Sequence, residues 1–160
     1  MREAQRVLDS DIDARAAGIV RTHPGWPCRK GCDACCRRLA SAPSLTAPEW
    51  ERLREGLDAL PAAVRAAVLA RIEAMPDVPP LTCPMLDREA GACLVYAHRP
   101  AACRTYGYYQ ERDRGLYCQE LHGRVDAGEF SGAVWGNAAA VEARLRGFGA
   151  ARGLREWLAR

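Results

Sequence analysis

The sequence predicts a mainly α fold, a small helical domain with an irregular cysteine-rich metal-binding segment. Three observations predict it. Apolar residues recur at helical spacing near both ends and again between Trp50 and Met75. Weak periodicity and frequent turn residues occupy the stretch from Leu81 to Cys118. Eight cysteines fall into two groups instead of scattering as small core residues would. A chain of 160 residues that is 49% hydrophobic and 27% charged is long enough to bury its own core, so residues 1–160 are expected to form a single domain.

Each element has its own warrant. Val7, Leu8, Ile12, Ala16, Ile19 and Val20 share a helical stripe, which predicts an amphipathic helix over 3–21. Pro24 and Pro27 disfavour helix in the residues before them and end it. The first cysteine group follows, on a turn or a short helical piece. Thr46-Ala47-Pro48-Glu49 is a helix start, with a capping hydroxyl, proline in the first turn and a glutamate three residues on. Trp50, Leu53, Leu57 and Leu60 line that helix. Pro61 opens a second, with Val64, Val68, Ile72 and Met75 on its apolar side, so the two form an αα-hairpin. Pro76, Pro79 and Pro80 close this section. Loops, short helical turns and one short strand at 94–96 are expected between Leu81 and Cys118. That stretch carries few aliphatic anchors, so its order is expected to depend on bound metal. Val134, Ala138, Val141, Leu145 and Phe148 mark a further helix, and Leu154, Trp157 and Leu158 a last short one after Gly147, Gly149 and Gly153.

Composition removes several function classes. No apolar run approaches the roughly 18 residues of a membrane span. Residues 1–20 are interrupted by Glu3, Arg6, Asp9, Asp11, Asp13 and Arg15, which leaves no signal-peptide stretch and predicts a cytoplasmic protein with no membrane association. A net charge of +3 and 7% aromatics argue against dedicated nucleic-acid binding. No Ser/His/Asp ordering, glycine-rich phosphate loop or His-Glu-x-x-His helix is present, so no reaction is read from the sequence.

The cysteines carry the chemistry. Cys28, Cys32, Cys35 and Cys36 crowd into one nine-residue window, and Cys83, Cys93, Cys103 and Cys118 follow after a gap with none. A chain without an export signal suits a reducing compartment, where such thiols bind metal in preference to forming disulfides. The Cys-x3-Cys-x2-Cys spacing closes a short loop at little entropic cost, and Gly31 permits the tight turn. Cys35 and Cys36 are adjacent, and neighbouring side chains diverge, so Cys36 is either a packed bystander or, as expected here, faces away from Cys35 toward a second ion or cluster edge held mainly by Cys83, Cys93, Cys103 or Cys118. Neither Cys93 nor Cys103 has a cysteine close by in sequence. The two blocks are therefore expected to meet, with Cys28, Cys32 and Cys35 joined by thiols of the second block.

The residues CRKGCDACC, then CPML, then GACLVYAHRPAACRTYG resemble the cysteine-cluster family with a CxxxCxxCC signature, described as a zinc- or iron-chelating domain. The resemblance covers residues 26–118 and implies metal chelation by these cysteines in a small, mostly cytoplasmic bacterial protein. It supplies no reaction, and Cys118 lies outside its best-matching part.

Four thiolates around Zn²⁺ leave a formal charge of about −2, which asks for cationic or hydrogen-bonding neighbours. Arg99 and Arg104, which bracket Cys103, are expected to donate to sulfur or backbone carbonyls, and Arg29, Lys30, Arg37 and Arg38 to lie on the solvated surface. His23, His98 and His122 are expected to be packed or solvated and not ligands. Asp33, Asp87, Glu89 and Glu111 form no acid–base pair, and Tyr106, Tyr108, Tyr109 and Tyr117 are expected to pack. Thiolate-only coordination selects zinc, cuprous copper or iron–sulfur clusters. Zinc is favoured because two closed Cys₄ sites would use all eight thiols. The expected function is metal chelation with a structural, storage and delivery, or protein-partner-binding role. The alternative is an iron–sulfur redox protein or a cluster-dependent enzyme.

Overall fold

The computed structural model describes all residues except Asp113. About half of the chain is helical, in eight α-helices among the described residues. They are α1 (Arg2–Thr22), α2 (Ala34–Arg37), α3 (Ala47–Asp58), α4 (Ala62–Glu73), α5 (Ala101–Thr105), α6 (Gln119–Asp126), α7 (Ala138–Arg146) and α8 (Leu154–Leu158). The strands between them are two or three residues long. None of the described helices is long and apolar enough to cross a membrane. The chain divides into two compact units, each built from two separate segments: residues 1–29 with 101–148, and residues 30–100 with 149–160.

In the first unit, α1 turns Leu8, Ile12 and Ile19 inward, while Val7 and Val20 of the same predicted stripe stay in solvent. Leu8 and Ile12 share a core with Ala101, Tyr109, Ala138 and Val141. Ile19, Trp26, Leu121 and Phe130 form a second, aromatic core in the same unit. Tyr109–Glu111 pairs antiparallel with Arg114–Gly115 and parallel with Gly136–Asn137. Gly136 lies under the Tyr109 ring, where a Cβ would come within 2.3 Å of a ring carbon, so only glycine fits there. Because 136–137 is extended and Asn137 caps α7 by accepting a hydrogen bond from the Ala140 amide, α7 begins at Ala138 and not at the exposed Val134. Leu145 and Phe148 do pack against the core. The sequence reading gave no counterpart for α6.

In the second unit, α3 and α4 follow one another across residues 59–61, and both turn apolar residues into one core. Glu49 Oε2 accepts from the Thr46 amide at 2.9 Å and from its hydroxyl at 2.8 Å, which fixes the start of α3. Replacing Glu49 with alanine is expected to cost about 1 kcal/mol, read as a lower midpoint in urea unfolding. Trp50, Leu53, Leu57, Val68, Ile72 and Met75 enter one core with Leu45, Leu154 and Trp157. Trp157 stacks on Trp50 and donates its indole N–H to the Leu45 carbonyl at 2.9 Å.

The stretch after Leu81 corrects an expectation. Leu81, Met85, Leu86 and Val95 are all buried in this core. Isolated apolar residues between turns do not register as periodicity, yet each enters the core. Leu39 and Leu81 exchange two backbone hydrogen bonds, at 2.8 and 2.9 Å. The short strand lies at Ala92–Cys93, paired with Leu86–Asp87. Tyr96–His98 is a 3-10 turn.

Candidate metal centre

All eight cysteines are free thiols. The units divide them differently from the sequence blocks. Cys32, Cys35, Cys36, Cys83 and Cys93 lie in the second unit, and Cys28, Cys103 and Cys118 in the first.

In the second unit the chain brings three segments together. Gly31, with φ of 92°, makes the turn that leads into α2, which carries Cys35 and Cys36. The Cys83 amide donates to the Cys36 carbonyl at 2.7 Å, beside the Leu39–Leu81 bridge. Cys93 then returns opposite Leu86. Cys36 is hydrogen-bonded through its thiol to Cys35 and to Cys83. Cys93 interacts electrostatically with both Cys35 and Cys36. Cys36 therefore does not turn away from Cys35. Side chains 100° apart on one helical turn can still lean together, and the Cys36 thiol reaches both Cys35 and Cys83. Cys36 and Cys93 pack against the hydrophobic core that contains Cys83. Among the described residues, no three His, Cys, Asp or Glu side chains already converge on one ion position. The four thiols are neighbours without forming a closed cage.

Their surroundings disfavour charge. The hydrogen bond to Cys36, then burial and the neighbouring Cys36 sulfur, drive the Cys35 thiol far above its usual range. Cys36 is pushed up to about 12: the hydrogen bond with Cys35 lowers it, but that with Cys83, burial and the nearby Cys83 and Cys93 sulfurs outweigh this. Burial raises Cys93, offset in part by the Val95 amide and the Arg99 guanidinium. A thiol raised on folding lends stability that is complete below its ordinary pKa and disappears as pH climbs through the folded value. The metal-free protein is thus expected to lose stability from the ordinary value of 9.0 toward about 12. Metal-loaded protein should behave oppositely and weaken toward acid, because ligation requires thiolates and releases protons. Thermal melts across pH, with and without chelator, check the two signs.

The arginines expected beside sulfur separate. Arg99 donates Nε to the Tyr96 carbonyl at 2.9 Å and stacks on that ring at 3.5 Å, where its charge favours the Cys93 thiolate. Arg104 pairs with carboxylates. It is buried in the first unit between two carboxylates of α1, with Asp13 at 2.6 Å and Asp9 at 3.6 Å. The i, i+4 spacing of Asp9 and Asp13 was the available signal, hidden because both fell on the assumed polar face of α1. Among the other basic residues, Arg37 pairs with Asp33 at 2.5 Å, and Lys30 sits 5.9 Å from the Tyr96 ring centre.

The other candidates lie as follows. In the first unit, Cys28 and Cys118 pack against the aromatic core around Trp26 and Leu121. Tyr108 stacks on Trp26 and donates its hydroxyl to the Cys28 carbonyl at 2.5 Å. Gly107, at φ of 87°, lies beneath Cys28, and a Cβ there would stand 2.3 Å from the Cys28 sulfur. Cys103 sits on α5, half-buried. His23 packs edge-on to Trp26 and Phe130, His98 fills the space over Gly56, and His122 pairs with Asp126 on the surface. Asp87 accepts two turn amides, from Glu89 and Ala90, at 3.0 Å each.

A family model named CxxCxxCC, described as zinc- or iron-chelating, matches residues 27–121, which takes in every cysteine. The chain belongs to this family. Its first spacing departs from the family's label, with three residues between Cys28 and Cys32 where the label has two. No curated protein and no solved structure gives a significant match. Generic metal chelation follows from membership in the CxxCxxCC family. An all-thiol donor set fits either named metal, since both zinc and iron–sulfur clusters take four cysteine thiolates.

Proposed function

We propose that this CxxCxxCC protein holds a structural zinc ion on Cys35, Cys36, Cys83 and Cys93, with Cys32 on the approach loop. The observation that carries the reading is the hydrogen-bonded run Cys35–Cys36–Cys83, with Cys93 within electrostatic reach of it, at the edge of the second unit's core. An ion there would tie α2 to the 83–93 turn. Closed tetrahedral coordination by four thiolates is the usual structural-zinc arrangement and leaves no open position for substrate. Arg99, held on Tyr96, is the cation that would offset part of the complex's negative charge.

Anaerobic purification followed by metal analysis and a visible spectrum tests this directly. Colourless protein containing zinc is expected. Cys36→Ser and Cys83→Ser should each lower metal content, and Cys118→Ser should spare the ion of the second unit. Brown protein with iron and inorganic sulfide would replace the reading with an iron–sulfur centre on the same thiols.

A further inference from the structure

We infer that Cys36 and Cys83 are an oxidation site, a thiol pair that closes to a disulfide when it meets a small-molecule disulfide in the absence of metal. That metal and disulfide exclude one another rests on the ligand reading above. The pairing itself does not.

Three features select this pair. The Cys83 amide donates to the Cys36 carbonyl at 2.7 Å, and the two hydrogen bonds between Leu39 and Leu81 lie next to it. The two chain segments are therefore clamped through backbone, with no ion required. The thiols themselves are hydrogen-bonded. Their exposure also differs, for Cys36 is half-buried while Cys83 retains only 8% of its surface. A reagent in solution meets Cys36 first, and Cys83 waits beneath it in the core. The obvious competitor, Cys35 with Cys36, lies on the helical turn of α2. A disulfide between adjacent residues closes a small strained ring that a helical backbone with trans peptides does not accommodate. Cys93 takes the Val95 amide on its sulfur and faces Arg99.

The chemistry balances in two exchanges. In alkaline solution, where the raised Cys36 thiol yields thiolate, its sulfur attacks one sulfur of the small disulfide, forming a mixed disulfide and releasing one reduced thiol. Cys83 sulfur then attacks the Cys36 sulfur, forming the Cys36–Cys83 bond and releasing the second reduced thiol. The protons of the two cysteines leave with those two thiols. The protein loses two electrons and the small disulfide gains them. The new bond would close a loop from 37 to 82 that contains α3 and α4. A long closed loop constrains the unfolded chain strongly, so the disulfide would take over the tether between α2 and Cys83 when metal is lost.

The test uses the full chain, stripped with a chelator and incubated in alkaline solution with oxidised glutathione, then mapped as tryptic peptides without reduction. A cross-link between the peptides carrying Cys36 and Cys83 is expected as the dominant product. It should persist in Cys35→Ser and Cys118→Ser and be lost in both Cys36→Ser and Cys83→Ala. A dominant Cys35–Cys36 bond, a Cys83 paired elsewhere, or a Cys83 that stays fully alkylatable overturns the inference. Preloading with zinc should slow cross-linking. A rate indifferent to zinc, with the cross-link still formed, would remove Cys36 and Cys83 from the ligand set while upholding the oxidation site.

Discussion

Replacing Arg104 with alanine is expected to destabilise the protein by about 3–5 kcal/mol, the usual cost of leaving a buried charge without its partner. Arg104 and Asp9 are each only 3% exposed at the side chain, and Asp9 also accepts the Gln5 amide at 3.0 Å. Removing the guanidinium strands that carboxylate in the first unit. Asp13, at 53% exposure, can turn to water and should contribute little to the loss. Urea unfolding measures the change. A double variant, Asp9→Leu with Arg104→Met, should recover much of it, since apolar replacement of both partners removes the stranded charge. A loss under about 1 kcal/mol in the single variant would mean that the pair is solvated in solution, as surface pairs are.

Removing metal is expected to lower stability by several kcal/mol, below the roughly 10–16 kcal/mol that structural zinc supplies to peptides with no core of their own. The loss should be local. Residues 81, 85, 86 and 95 are held by the apolar core and α3–α4 by its own packing, so these should keep most of their protection. The turns between Asp87 and Cys93 and the approach loop 30–34, which have few buried residues, should exchange amide hydrogens much faster in the metal-free protein. Equal protection of these turns with and without metal would show that the ion does not organise the unit.

These two cases mark where the sequence was readable. Helices α3 and α4 were legible because their signals are local: Thr46 and Glu49 cap, Pro48 sits in the first turn, and the apolar stripe repeats within each helix. The course of α1 was legible for the same reason, though the stripe overreached at Val7 and Val20. The stretch 81–95 was not, because its buried residues are separated by turns and each finds its core partner far away in sequence. The role of Arg104 was hidden likewise, since its partners Asp9 and Asp13 lie some ninety positions earlier. The cysteine set was recognisable from composition and spacing. How the thiols associate depends on backbone bonds such as Cys83 to Cys36, which no spacing reveals.

The central claim is that four thiolates of the second unit close around one zinc ion. X-ray absorption at the zinc edge measures that shell most directly, on a Cys28→Ser/Cys103→Ser/Cys118→Ser variant that isolates the second unit's donors. Four sulfur neighbours at about 2.3 Å are expected, with no nitrogen or oxygen in the shell. A shell containing nitrogen or oxygen at about 2.0–2.2 Å, or fewer than four sulfurs, would contradict a closed site on Cys35, Cys36, Cys83 and Cys93.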